Sequence, residues 1–143
     1  ATASAAAPAP AAILASADGE QPGMRAEVRS LKRDSSATVT LQFAVINDSD
    51  AEFSARTQLG ATSHGDGDYQ TVSGVHLVDP VNKKKYLVVR DAEKKCACST
   101  GVYAIAAKSR SNLWAKFPAP ANEVASLTVV IPRFMPMENV PIR

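Results

Sequence analysis

Thr38-Val39-Thr40-Leu41-Gln42-Phe43-Ala44-Val45 is the stretch on which the fold turns. Val39, Leu41, Phe43 and Val45 share one face, and Thr38, Thr40 and Gln42 share the other. Period-two alternation, β-branched residues and one polar face predict a half-buried antiparallel strand. Asn47-Asp48-Ser49-Asp50 then supplies turn chemistry. Upstream, residues 24–32 read as a strand of weaker alternation, paired through a turn at 33–36. Downstream, 75–78 and 86–90 flank Asp79-Pro80-Val81-Asn82-Lys83, where Pro preorganises a hairpin turn. Further strands are expected near 101–107, at 113–117 about Trp114, at 127–131, and in a last extended segment through Val140. Pro118-Ala119-Pro120 stops the strand that carries Trp114, a residue expected to pack between the sheets. There is no internal repeat and no amphipathic helix longer than two turns. About seven or eight short strands with frequent turns predict an all-β, immunoglobulin-like antiparallel β-sandwich. A closed antiparallel barrel is the alternative.

The 143 residues suffice for one domain with its own core. Hydrophobic residues at 45 % and charged residues at 21 % are a globular composition. Sixteen basic against fourteen acidic residues leave +2, too even for a general nucleic-acid binder. No apolar run approaches the ~20 residues of a membrane span. The first seventeen residues hold ten Ala and two Pro and begin without Met, as mature secreted proteins do after signal-peptide removal. A chain starting at an arbitrary residue is the other explanation. Residues 1–23 have too little apolar surface to offset their ordering entropy unless Ile13 and Leu14 dock. They are expected to be a flexible leader, a spacer from membrane or wall, with a β-sandwich over 24–143. The chain is thus expected to be secreted or associated with the cell envelope.

The two cysteines form Cys96-Ala97-Cys98. In an exported chain an even count points to oxidation, and residues i and i+2 of a strand point to one side, so a small disulfide ring can close. A thioredoxin-like redox site would need two intervening residues at a helix N-terminus. Cys96 and Cys98 with His64 and His76 match a zinc ligand count, but C-x-C spacing strains two bonds to one ion. Asp48-Ser49-Asp50-Ala51-Glu52 and Asp66-Gly67-Asp68 invite calcium, yet Phe53 stands where an EF-hand loop wants Gly. Turn chemistry explains both, so no metal or cofactor is expected. Nucleophile-elbow, zincin, P-loop and dinucleotide fingerprints are absent. With two His in the chain, any Ser-His-Asp triad would have to use His64 or His76, and no enzyme is expected.

One charge cluster stands out: Lys83, Lys84, Lys85, Arg90, Lys94 and Lys95 fall within thirteen residues, against Asp91 and Glu93. Gathered at a hairpin tip and the following turn, they form a positive patch for an anionic wall polymer or an envelope protein. The bland reading is lysines that guard a sheet edge. Single-stranded nucleic acid would call for interleaved aromatics, and only Tyr86 is near.

Gly74-Val75-His76-Leu77-Val78-Asp79-Pro80, Lys84-Lys85-Tyr86-Leu87-Val88-Val89-Arg90-Asp91, Cys96-Ala97-Cys98-Ser99, Phe117-Pro118-Ala119-Pro120, Val129-Val130-Ile131-Pro132 and Asn139-Val140-Pro141-Ile142 resemble strings in uncharacterised secreted actinobacterial β-domains. Such domains often precede an OmpA-like peptidoglycan-binding domain. The likeness covers roughly 69–142, and the OmpA-like domain would begin where this chain ends. It implies a non-enzymatic envelope module without catalytic residues. The second expectation is a secreted inhibitor or effector presenting a preorganised loop, either 63–68 or the one stiffened by Cys96 and Cys98.

Overall fold

The computed structural model describes residues 13–34, 37–59 and 70–143. Its strands are β1 (Ala15–Asp18), β2 (Met24–Arg33), β3 (Thr38–Asn47), β4 (His76–Asp79), β5 (Lys84–Leu87), β6 (Ser109–Pro118), β7 (Ser126–Val130) and β8 (Met137–Pro141), with a one-turn helix α1 (Ala55–Gln58). They form two four-stranded sheets, ordered β1-β2-β3-β6 and β5-β4-β7-β8. Every pairing is antiparallel. The architecture is a two-sheet sandwich, not a closed barrel.

Val39, Leu41, Phe43 and Val45 of β3 are at most 1 % exposed, so the alternating face is the core face. Leu113, Ala115 and Phe117 of β6 join them from the same sheet, and Leu77, Leu127, Val129 and Val140 close the core from the other. Burying one such Leu, Val or Phe side chain contributes about 1.5–3 kcal/mol. Phe53 and Phe134 meet edge to face at 6.2 Å.

The weak alternation of 24–32 has a geometric cause. Val28 pairs with Phe43 but Ser30 pairs with Gln42, so Arg29 is the extra residue of a β-bulge. The bulge resets the phase, so that Met24, Ala26, Val28 and Leu31 all face inward.

Three expectations are corrected. The leader does not run to residue 23: the Leu14 N–H donates to the Val28 carbonyl at 2.9 Å, and Ala15–Asp18 pairs with β2. Leu14 and Ala15 pack against the core, which is the docking that supplies the missing apolar burial. Residues 1–12 lie outside the described residues. Second, 101–107 is not a strand. Its buried residues, Val102 and Ile105, are three apart; its bridge from Ile105 to Phe53 lies outside both sheets, and the Asn47 amide of β3 donates to the Ile105 carbonyl at 3.0 Å. Third, Trp114 faces out, because it has the opposite phase to the core-facing Leu113, Ala115 and Phe117.

Three sheet edges are covered. The chain around Cys98 pairs with β6, with a bridge from Cys98 to Ala115. At β1, Glu20 and Met135 exchange backbone bonds with Arg133 and Asp18. β8 adjoins β1. Beyond its pairing with β4, β5 has no backbone partner among the described residues, and its exposed Lys84 and Lys85 occupy that open edge.

Candidate functional site

Two tight turns carry the basic residues. In the β4–β5 hairpin, Asp79 Oδ1 accepts the N–H groups of Val81 (3.1 Å) and Asn82 (3.2 Å), and Oδ2 accepts the Asn82 amide (2.7 Å). This Asx turn holds the Asp79 carboxyl below the ordinary range, chiefly through Asn82, with Lys84 adding its charge. Lys83 then takes a left-handed backbone, φ 56°, ahead of Lys84 and Lys85. In the second turn, Asp91 Oδ1 accepts the N–H groups of Glu93 and Lys95, both at 2.9 Å. The Arg90 guanidinium donates to the Lys94 carbonyl (2.9 Å), and Lys94 is also left-handed, φ 67°.

The two turns serve different sheets. Lys83, Lys84 and Lys85 open β5 in the second sheet. Beyond β5 the chain crosses to the first sheet, where the Val89 N–H donates to the Lys116 carbonyl and the Ser99 N–H to that of Trp114, both at 2.9 Å. Arg90, Lys94 and Lys95 therefore belong to the edge of β6.

Charge partners separate the basic residues into two groups. Arg25, Arg29 and Arg110 surround Glu27; Lys108 meets Asp50, Lys116 meets Asp34 and Arg133 meets Glu20. Lys83, Lys84, Lys85, Lys94 and Lys95 are exposed and have no carboxylate at ion-pair distance among the described residues. The nearby carboxylates of Asp79 and Asp91 are turned toward backbone N–H groups instead.

Cys96 and Cys98 are joined in a disulfide, with Cα atoms 5.3 Å apart. Cys98 is buried beside Ala115, so the ring is held against the β6 edge. A three-residue loop removes little unfolded-state entropy, about 1.5 kcal/mol. Cys96→Ala/Cys98→Ala is therefore expected to lower Tm by about 5 °C and to leave the β-sheet circular dichroism unchanged. A loss of folded structure at room temperature would show that the ring holds the sandwich together.

His76 lies on β4, half-buried, with Nδ1 3.3 Å from the Gly74 carbonyl oxygen. Burial lowers its pKa below the ordinary imidazole value, and the charge of Lys85 acts the same way. Asp34 is held low by the Thr40 hydroxyl and by Lys116. Among the described residues no three His, Cys, Asp or Glu side chains converge as metal ligands. His64 and the loop 63–68 lie outside the described residues.

Two further surface features lie outside these turns. One is the cluster of guanidiniums on Glu27. The other is Trp114 on the outer face, 39 % exposed, which the phase of Leu113, Ala115 and Phe117 does reveal. Comparison of the chain with protein-family models, with curated proteins and with solved structures finds no match.

Proposed function

We propose that the chain is an exported, non-enzymatic binding module of the cell envelope, meeting an anionic wall polymer through Lys83, Lys84, Lys85, Lys94 and Lys95. The observation that carries this reading is that these five ammonium groups lack carboxylate partners, whereas most other basic side chains are bonded. Lys83 and Lys94 occupy left-handed positions where an L-residue costs roughly 1–2 kcal/mol and Gly or Asn fits better. Lys108 and Arg133, which pair with carboxylates elsewhere, take the same backbone conformation, so it is a feature of the turns and not of the patch. The likeness to secreted actinobacterial β-domains over roughly 69–142 supports export and the envelope. The inhibitor reading has less support, because the disulfide ring is turned against β6.

The test is cosedimentation of the purified chain with actinobacterial cell walls, before and after anionic polymers are stripped, at low and high salt. Retention is expected to be lost on stripping and weakened by salt. Lys83→Glu/Lys84→Glu/Lys85→Glu should abolish it, and wild-type retention by that variant overturns the reading. Lys83→Gly/Lys94→Gly should separate folding from binding. It is expected to gain about 0.5–1 kcal/mol per site, because the strain is relieved, while retention falls.

A further inference from the structure

The outer face of the β1-β2-β3-β6 sheet carries the chain's single tryptophan. Register places Trp114 opposite Gln42 on β3, and Gln42 opposite Ser30 on β2. On the other side the Ser99 hydroxyl accepts the Trp114 backbone N–H at 2.9 Å. Asn112 lies two residues along β6 on the same face. The indole thus sits in a row of small and amide side chains. Neither its N–H nor the amides of Gln42 and Asn112 have a hydrogen-bond partner among the described residues.

Charge surrounds this row. About 7 Å along β6, Lys116 stands opposite Thr40, which stands opposite Lys32. In the other direction lie Arg29 and Arg110, whose shared carboxylate, Glu27, is only 8 % exposed beneath them. The face carries Arg25, Arg29, Lys32, Arg110 and Lys116 against Asp18, Glu27, Asp34 and Asp48, five cations to four anions. Lys32 is exposed and has no carboxylate at ion-pair distance among the described residues, and Arg25, Arg110 and Lys116 keep 38–48 % of their side chains open to solvent beside it.

An open indole, free amides and ammonium groups on a flat face have a chemical complement. The C–H bonds of a sugar ring stack on the electron-rich indole. Side-chain amides donate to and accept from hydroxyls, and cations bind carboxylate or phosphate. A lone aromatic does not suit a nucleic-acid strand, whose successive bases need successive platforms. We propose that this face binds an acidic glycan, a polysaccharide whose rings bear carboxylate or phosphate groups, with Trp114 as the stacking platform. The surface is separate from the Lys83 hairpin, and the inference does not rest on that reading.

The full chain is titrated with hexameric oligogalacturonate and, separately, with neutral chitohexaose, while the emission of Trp114 is read. Oligogalacturonate is expected to change the emission saturably, with affinity falling roughly tenfold between low salt and about 0.2 M salt. By calorimetry, Trp114→Ala should weaken binding roughly tenfold or more. Gln42→Ala/Asn112→Ala, which removes no core contact, should weaken it by about fivefold. Lys83→Glu/Lys84→Glu/Lys85→Glu should leave it within about twofold, so this site and the hairpin stand or fall separately. No saturable change with either sugar, equal affinity for chitohexaose, or wild-type affinity in both the Trp114 and the amide variants overturns the proposal.

Discussion

Glu27→Ala is expected to cost about 2–4 kcal/mol and to lower Tm by roughly 6–12 °C. Glu27 is on the solvent side of β2, yet its side chain is only 8 % exposed. Its Oε1 meets a terminal nitrogen of Arg29 at 3.0 Å and one of Arg110 at 3.2 Å, and its Oε2 meets Arg25 Nε at 3.4 Å. Removing the carboxylate leaves three guanidiniums facing one another. Arg29 Nε is already buried without a hydrogen-bond partner, so it has none to fall back on. Arg25 and Arg110 are 40 % and 48 % exposed, and water screens part of the repulsion, which keeps the figure below that of a fully buried pair. Packing contributes too. Ala44 and Ile46 face this side and are at most 6 % exposed, in the register positions beside Glu27 and Arg25. The aliphatic stems of the arginines can shelter them only while the carboxylate gathers the head groups. Thermal and denaturant unfolding of Glu27→Ala, Glu27→Gln and Glu27→Leu/Arg29→Leu checks this. Gln should fall between wild type and Ala, and the double Leu variant should recover part of the loss. A shift under about 2 °C for Glu27→Ala would reduce the cluster to exposed charges of little weight.

The parts of the fold legible in the chain are those whose two faces differ in polarity. β3, β6 and β7 lie where alternation puts them, because one face must leave water and the other need not. The turn of the β4–β5 hairpin was legible for a local reason, since Asp79, Pro80 and Asn82 build it within a few residues, but the second strand runs Lys84–Leu87 rather than 86–90, because Val89 already bonds to Lys116 of the other sheet. β1 was not legible. Ala15-Ser16-Ala17-Asp18 has almost no strand signal, and it pairs because Leu14 docks on a core assembled elsewhere. The reset of phase at Arg29 is likewise set by pairing to β3.

The candidate site divides in the same way. The six basic residues and the cysteine pair could be read as neighbours in sequence. That Lys83 and Lys94 serve different sheets could not, since it depends on where the chain crosses after β5. The Glu27 cluster needs a partner 83 residues away, which only register supplies. Trp114 is the opposite case. Its outward phase follows from Leu113, Ala115 and Phe117, and a general preference of tryptophan for cores outweighed the local pattern.

Arg33→Ala is expected to cost about 2–3 kcal/mol, roughly 6–9 °C in Tm. Arg33 ends β2 opposite Val39, in the phase that faces the other sheet. Its guanidinium donates to the carbonyls of Pro120 (2.8 Å), Ala121 (2.9 Å) and Val124 (3.1 Å), the turn that leads into β7. In that turn the Ala121 carbonyl also accepts the Val124 N–H at 3.0 Å, whereas the carbonyls of Pro120 and Val124 have no backbone donor among the described residues. The planar fork reaches three acceptors at once, which the single ammonium of lysine does not. Arg33→Lys should therefore recover less than half of the loss, read as a shift of the denaturant midpoint at unchanged m-value. Full recovery by lysine would show that charge, not the fork, is what the turn requires. Because this guanidinium is committed to the fold, Arg33→Ala that remains folded should still sediment with cell walls, whereas the Lys83, Lys84 and Lys85 reversal should not. Loss of binding in both variants would mean that the wall reads net charge rather than a particular pair of turns.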